Sequence, residues 1–547
     1  MEVSMVRMPQ SRMRTMTEAA SRELGWFCSS NQIFPKQKKV TFDLSKRWRS
    51  AGVRLTVKAA NSSSSLSEKI SADTFTTKTS TTGNVKLFVG LPLDAVSDCN
   101  NLNHARAITA GLKALKLLGV EGVELPIWWG VVEKDTMGKY EWSSYLSLAQ
   151  MVRDAGLKLR VSLCFHASKQ PKIPLPTWVS RIGGAQPSIF FTDRSGRQYK
   201  DCLSLAVDDL PVLDGKTPLQ VYQEFSQGFK STFSDLLGST IMEVSVSLGP
   251  DGELRYPSYP SMGSGRTEIP VLGLGEFQCY DEHMMKNLRQ HAEATGNPKW
   301  GLGGPHDAPT YDERPSSNNF FRENGGSWET PYGDFFLSWY SNQLISHGDR
   351  ILSMAFNTFF DSPVTISGKV PLLHYWYKTR SHPLEVMAGF YNTVSRDGYD
   401  AVAEMFARNF CRMVLPGMDL SEKHQPDGSK SSPELLLAQM RAACKQQRVL
   451  MVSGENSASE TPEGLEQIKK NLSTEDEGFV VLDSFTYQRM GAHFFSPEHF
   501  PKFTEFARSL QEQELHSDDM EGDDGNSVSL PMDSKSGKDL QVMQATA

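Results

Sequence analysis

Several polar and aromatic side chains stand at or just after the ends of apolar runs in this 547-residue chain: Trp128 and Trp129, His166, Glu253, His374, Glu455 and Arg489. Runs of this kind read as buried parallel strands, and in a closed barrel the C-terminal strand ends share one rim. Two carboxylates there, beside aromatics, two histidines and an arginine, suit a sugar, which offers apolar C–H faces and hydroxyl edges together. A carboxylate pair also suits glycoside hydrolysis, in which one acid protonates the leaving oxygen and the other activates water or attacks carbon. Spacing alone leaves a second reading open, because strand-end glutamates equally serve ion pairs or anchor loops.

The elements that would position these residues are eight runs: Lys86–Leu93, Val120–Trp129, Leu157–His166, Ile241–Gly249, Lys369–Trp376, Arg412–Gly417, Val449–Gly454 and Ser484–Met490. Amphipathic segments fall between several of them, with Ala105–Leu117 and Pro433–Gln446 carrying apolar residues at helical spacing. Eight β-then-α units with right-handed crossovers predict an α/β chain closed into a (β/α)8 TIM barrel. A doubly wound open sheet would carry a glycine-rich phosphate loop after its first strand, and Gly90-Leu91-Pro92 is not one. The segment from about Pro250 to Ser362, after the fourth strand, is rich in Gly, Pro, Asn and aromatics and predicts a long loop insertion over the active face.

Composition narrows the function. A formal charge of −7 is mild and of the wrong sign for a general nucleic-acid binder. No run reaches the roughly 18 apolar residues of a membrane span, so an integral membrane protein is not expected. Seven scattered cysteines, with no CxxC pair, and twelve histidines, with no HExxH, give no support for a metal and predict reduced thiols. Residues 1–60 hold twelve Lys/Arg against four Asp/Glu, a basic, Ser-rich composition that fits an organelle transit peptide, or a merely basic tail. A Ser/Thr-rich linker over 61–84, a barrel over 85–510 and an acidic disordered tail over 511–547 complete the expected organisation.

Local strings sharpen the reading. Ser247–Pro260 (SLGPDGELRYPSYP) resembles the plant β-amylase motif that carries the proton-donating glutamate, and Ser453–Asn456 (SGEN) resembles the motif of the base. Gly273–Asp281 (GLGEFQCYD), Phe335–Asp349, Lys369–Lys378 and Trp128–Glu133 match in order. The resemblance implies a barrel that removes maltose from the non-reducing ends of α-1,4-glucans with inversion and needs no cofactor. Glu253 then takes the place of the proton donor and Glu455 that of the acceptor. His166, Lys369, His374, Asn456, Ser457 and Arg489 fall at or beside substrate-binding positions.

Three departures fall on functional positions. Pro126 stands where the family has a sugar-binding aspartate, and proline offers neither a carboxylate nor an N–H. After His166 the family's glycine-rich closing lid is replaced by Ala167–Pro174 (ASKQPKIP), about five residues shorter and without glycine. Third, Pro416 replaces an inner-loop threonine; apart from these three, Ser457-Ala458-Ser459 beyond the second glutamate also replaces a family Ala-Leu-Pro. The pattern resembles the non-catalytic branch of plant plastid β-amylases. That implies a silent or strongly impaired protein of the chloroplast stroma, acting in starch degradation by regulation or by binding glucan or an active amylase. The alternatives are a working exo-acting maltohydrolase, or a site whose Lys169 and Lys172 take an anionic ligand such as a sugar phosphate.

Overall fold

The computed structural model describes residues 85–259, 273–457, 462–473 and 480–512. The expected transit peptide over 1–60, the linker over 61–84 and all but the first two residues of the tail over 511–547 lie outside them. Ten strands occur in the described residues: β1 (Lys86–Gly90), β2 (Gly122–Trp128), β3 (Lys158–Cys164), β4 (Phe190–Thr192), β5 (Gln198–Leu203), β6 (Ile241–Val246), β7 (Thr365–Lys369), β8 (Arg412–Leu415), β9 (Val452–Glu455) and β10 (Ser484–Tyr487). Eight close into a parallel barrel in the order β1, β2, β3, β6, β7, β8, β9, β10, and β1 pairs with β10 through Lys86–Val89 against Ser484–Tyr487. Strands β4 and β5 form a separate antiparallel hairpin, too short for apolar periodicity to announce.

Alternation along the strands builds the barrel. On β2, Val123, Leu125 and Ile127 are fully buried in the apolar core, whereas Glu124, Pro126 and Trp128 line a cavity of the barrel. Lower in the barrel Glu243 pairs with Arg160 at 3.2 Å and with Arg412 at 3.3 Å. Arg160 also donates to Ser484 and Thr486 and lies 3.7 Å from the Phe88 ring centroid. Buried cations are tolerated here because carboxylate, hydroxyls and a ring face replace water.

Helices Ala105–Leu117 and Pro433–Gln446 have the boundaries their periodicity predicts. The helix Pro218–Thr232 starts on a capping box in which Thr217 and Gln220 satisfy each other's backbone N–H, with Pro218 as its first residue.

Two expectations need correction. The fifth barrel strand is Thr365–Lys369, not Lys369–Trp376. Pro371 has no N–H to give a ladder, so the apolar letters after Lys369 pack as an irregular segment, and Lys369 and His374 do not share a strand. The insertion over 250–362 is not loop throughout, since it contains helices Glu282–Ala294 and Pro331–Phe359, the latter 29 residues long.

Candidate active site

Glu253 is presented by a tight turn beyond β6. Gly252 takes φ 84°, and a Cβ there would stand 3.2 Å from His166 Nε2, so glycine suits both the backbone and the space. Leu254 N donates to Lys369 O at 2.9 Å, fastening the turn to the end of β7. The Glu253 carboxylate accepts from Arg255 Nε at 2.7 Å, and Arg255 also pairs with Asp251. Burial pushes the Glu253 carboxyl up to about 7; Arg255 opposes the shift, and the negative charges of Asp251 and Glu455 add to it.

Glu455 ends β9, where its Oε2 accepts from Lys369 Nζ at 2.7 Å and from Gln488 Nε2 at 3.1 Å. A third carboxylate, which the reading of apolar runs missed, completes this group. Glu124 of β2 receives Lys369 Nζ at 3.0 Å, Ser162 Oγ at 2.7 Å and Gln488 Nε2 at 2.7 Å. Burial alone would raise its pKa, but the Lys369 ammonium, the Ser162 hydroxyl and the Arg489 guanidinium hold it well below the usual carboxylate range. A charged residue inside an apolar strand, two before the altered Pro126, was the available signal.

A cavity of about 420 Å³ opens beside this group, its walls including Pro126, Trp128, His166, Lys369 and Arg489. His166 meets the Trp128 ring edge-on at 5.3 Å, and burial lowers its pKa. Arg489 donates to Leu91 O at 3.0 Å. Of the other sequence-derived candidates, Asn456 bridges to the Gln488 backbone through both amide atoms, at 3.0 and 2.6 Å. Ser457 is held by Asp419 at 2.6 Å through both N–H and hydroxyl. His374 is not a cavity-wall residue; its Nδ1 meets Ser431 Oγ at 2.7 Å, and burial lowers its pKa to about 4. Pro416 is buried in the turn after β8.

The segment after His166 is a short strap. Ser168 and Ile173 exchange backbone hydrogen bonds at 2.8 and 2.9 Å, and Ala167 N donates to Asp201 O of β5 at 2.6 Å. Lys169 pairs with Asp201 at 3.4 Å, so this cation already has an anionic partner. At the strap's end Pro174 O lies 1.9 Å from where a Cβ on Gly130 would stand, so that contact requires glycine. Among the described residues no group of three or more His, Cys, Asp or Glu could hold a metal ion.

The profile of glycosyl hydrolase family 14 matches residues 88–515, all of the barrel but the first two residues of β1. The chain belongs to this family. Inactive beta-amylase 9 of Arabidopsis thaliana is 55% identical over 95% of this chain and 95% of its own length. Beta-amylase 1, chloroplastic, of the same plant is 41% identical, covering 79% of this chain and 76% of its own. Among solved structures, the catalytic domain of beta-amylase from Paenibacillus polymyxa superposes with a TM-score of 0.64 at 25% identity, over 78% of this chain and 98% of that one. The glycosyl hydrolase family 14 barrel here therefore resembles proteins named as β-amylases and one named inactive. Among its described residues no helix is long and apolar enough to cross a membrane.

Proposed function

We propose that this chain is a catalytically silent or strongly impaired β-amylase-like protein that acts in plastid starch degradation by binding glucan or an active amylase. The observation that carries the reading is the wall of the 420 Å³ cavity, where Pro126 and the strap residues Ala167–Gln170 stand. A glucan end placed there meets a ring without polar hydrogens instead of a hydrogen-bonding carboxylate. A segment closed on itself by two backbone bonds and fixed to β5 also replaces a loop able to fold over substrate. Loss of one preorganised contact in a hydrolase costs roughly a hundredfold or more in rate, and here several are altered together. The name of the 55% identical relative supports the same reading, and the chloroplastic name of a second relative supports a plastid location.

In this reading Glu253 and Glu455 keep the places of proton donor and acceptor, with His166, Lys369, His374, Asn456, Ser457 and Arg489 as remnants of the glucan site. The ion pair to Lys369 gives Glu455 a structural role, and Arg255 Nε holds the Glu253 carboxyl in position. The alternative, an active inverting maltohydrolase, is favoured by one feature: a Glu253 carboxyl pushed to about 7 is poised to donate a proton near neutrality.

Maltose release from soluble starch by the wild-type chain, beside identically purified Glu253→Gln, separates the two. The proposal expects release no greater than the variant's. Release from the wild type that Glu253→Gln abolishes overturns it and establishes hydrolysis.

A further inference from the structure

Two charged residues that line the cavity, Glu124 and Lys369, are already engaged with each other and with Glu455 and Gln488 behind the wall. Lys369 Nζ stands between Glu124 at 3.0 Å and Glu455 at 2.7 Å. The Gln488 amide spans the same two carboxylates at 2.7 and 3.1 Å. Both oxygens of Glu124 are used, Oε1 by Lys369 and Ser162 and Oε2 by Gln488. Only 12% of the Glu124 side chain and 18% of the Lys369 side chain remain exposed, so these are desolvated contacts; both Gln488 N–H groups and two of the three on Lys369 are taken, and an entering ligand must compete with two carboxylates for the ammonium. Glu124, Lys369 and Pro126 all line the cavity, and Pro126 follows Glu124 on the same face of β2.

We propose that Glu124 is a specificity-determining residue of this cavity, an internal carboxylate that engages Lys369 and Gln488 and so lowers affinity for a neutral α-glucan end. It acts through Lys369 and is a positioning residue. A charged acceptor beside an ammonium is a stronger partner than a sugar hydroxyl, so the closed Glu124–Lys369–Glu455 arrangement is the preferred state of the empty site. The network's depressed Glu124 pKa keeps that competitor ionised throughout the neutral range. The inference deepens the proposed function, resting on its reading that Lys369 belongs to a glucan site, and explains weak binding by a group that is present.

The test is calorimetric titration of maltotetraose into the full wild-type chain and into Glu124→Gln and Glu124→Met, each with its melting midpoint recorded. Loss of the competitor is expected to tighten binding at least fivefold in both variants. The gain is expected to vanish in the Glu124→Gln/Lys369→Met double variant, an outcome that a general loosening of the barrel would not produce. Affinity unchanged or weakened in both variants overturns the proposal, as does a gain that survives loss of Lys369. Absence of binding in every protein also overturns it. The maltose assay decides catalytic silence independently, because a wild-type chain that hydrolyses starch can still show or lack the Glu124 effect.

Discussion

Near neutral pH the Glu253 carboxyl stands between its two protonation states, because burial raises it to about 7 against the pull of Arg255. A carboxyl whose folded pKa is raised binds its proton more tightly folded than unfolded. Its folded state is therefore favoured below the ordinary value of 4.5, and that advantage is lost as pH rises through about 7. Glu253→Gln removes the ionisation and keeps the shape. With a quarter of the side chain exposed and one bond to Arg255 weakened, the net effect at pH 8 is on the order of 1 kcal/mol in favour of the variant. Thermal melting at pH 4.5 and pH 8 checks it: the variant should match the wild type at the lower pH and exceed it at the higher. An equal difference at both would mean that Arg255 holds Glu253 at an ordinary pKa. The outcome also bears on chemistry, since only a raised carboxyl can serve as a proton donor at neutral pH.

At the scale of elements, the strap from Ala167 to Pro174 carries the strongest dynamic claim. A lid must open on the timescale of substrate exchange, whereas this segment is crossed by two mutual hydrogen bonds and tied to the β4–β5 hairpin. Hydrogen exchange should find the Ser168 and Ile173 amides protected well beyond intrinsic rates without ligand, and unchanged when maltotetraose is added. Rapid exchange that slows on adding the sugar would mark a working lid. The same elements show what the sequence made legible and why the rest was hidden. The shortened loop was visible as missing glycines, but its bond to Asp201 depends on a hairpin whose first strand is three residues long. The runs around β1, β2, β3, β6, β8 and β10 each enclose the observed strand, because their outward residues pack under helices and spell an apolar code. Strand β7 (TISGK) escaped because its buried Ser367 and half-buried Lys369 face a polar interior. Glu124 was hidden for the same reason, and with it one of the two carboxylate partners of Lys369. Periodicity reports which faces meet apolar neighbours and is blind to polar groups that satisfy one another inside a barrel.

For the whole molecule, the decisive contact is between the first and last barrel strands. Each strand of a closed barrel needs both neighbours to pair its backbone groups, and β1 takes one of its two from β10, nearly 400 positions away in sequence by the pairing of Lys86 with Ser484. The pairing also completes the site: Gln488, just beyond β10, holds Glu455 and Glu124 together, and Arg489 reaches back to Leu91 O after β1. Barrel closure and the placing of Glu124 against Glu455 are consequently one cooperative structure. A chain of residues 85–512 should melt in a single transition within about 3 °C of the full chain, since it retains every described barrel pair. A chain of residues 85–479, lacking β10 and the helix Phe500–Glu512, leaves β1 and β9 as open edges and should lose cooperative unfolding altogether. Calorimetry on both chains checks this. A sharp transition in the shorter one would mean that the barrel is held by its outer layers without closure, and that the grouping of Glu124, Lys369 and Glu455 does not depend on the C-terminal strand.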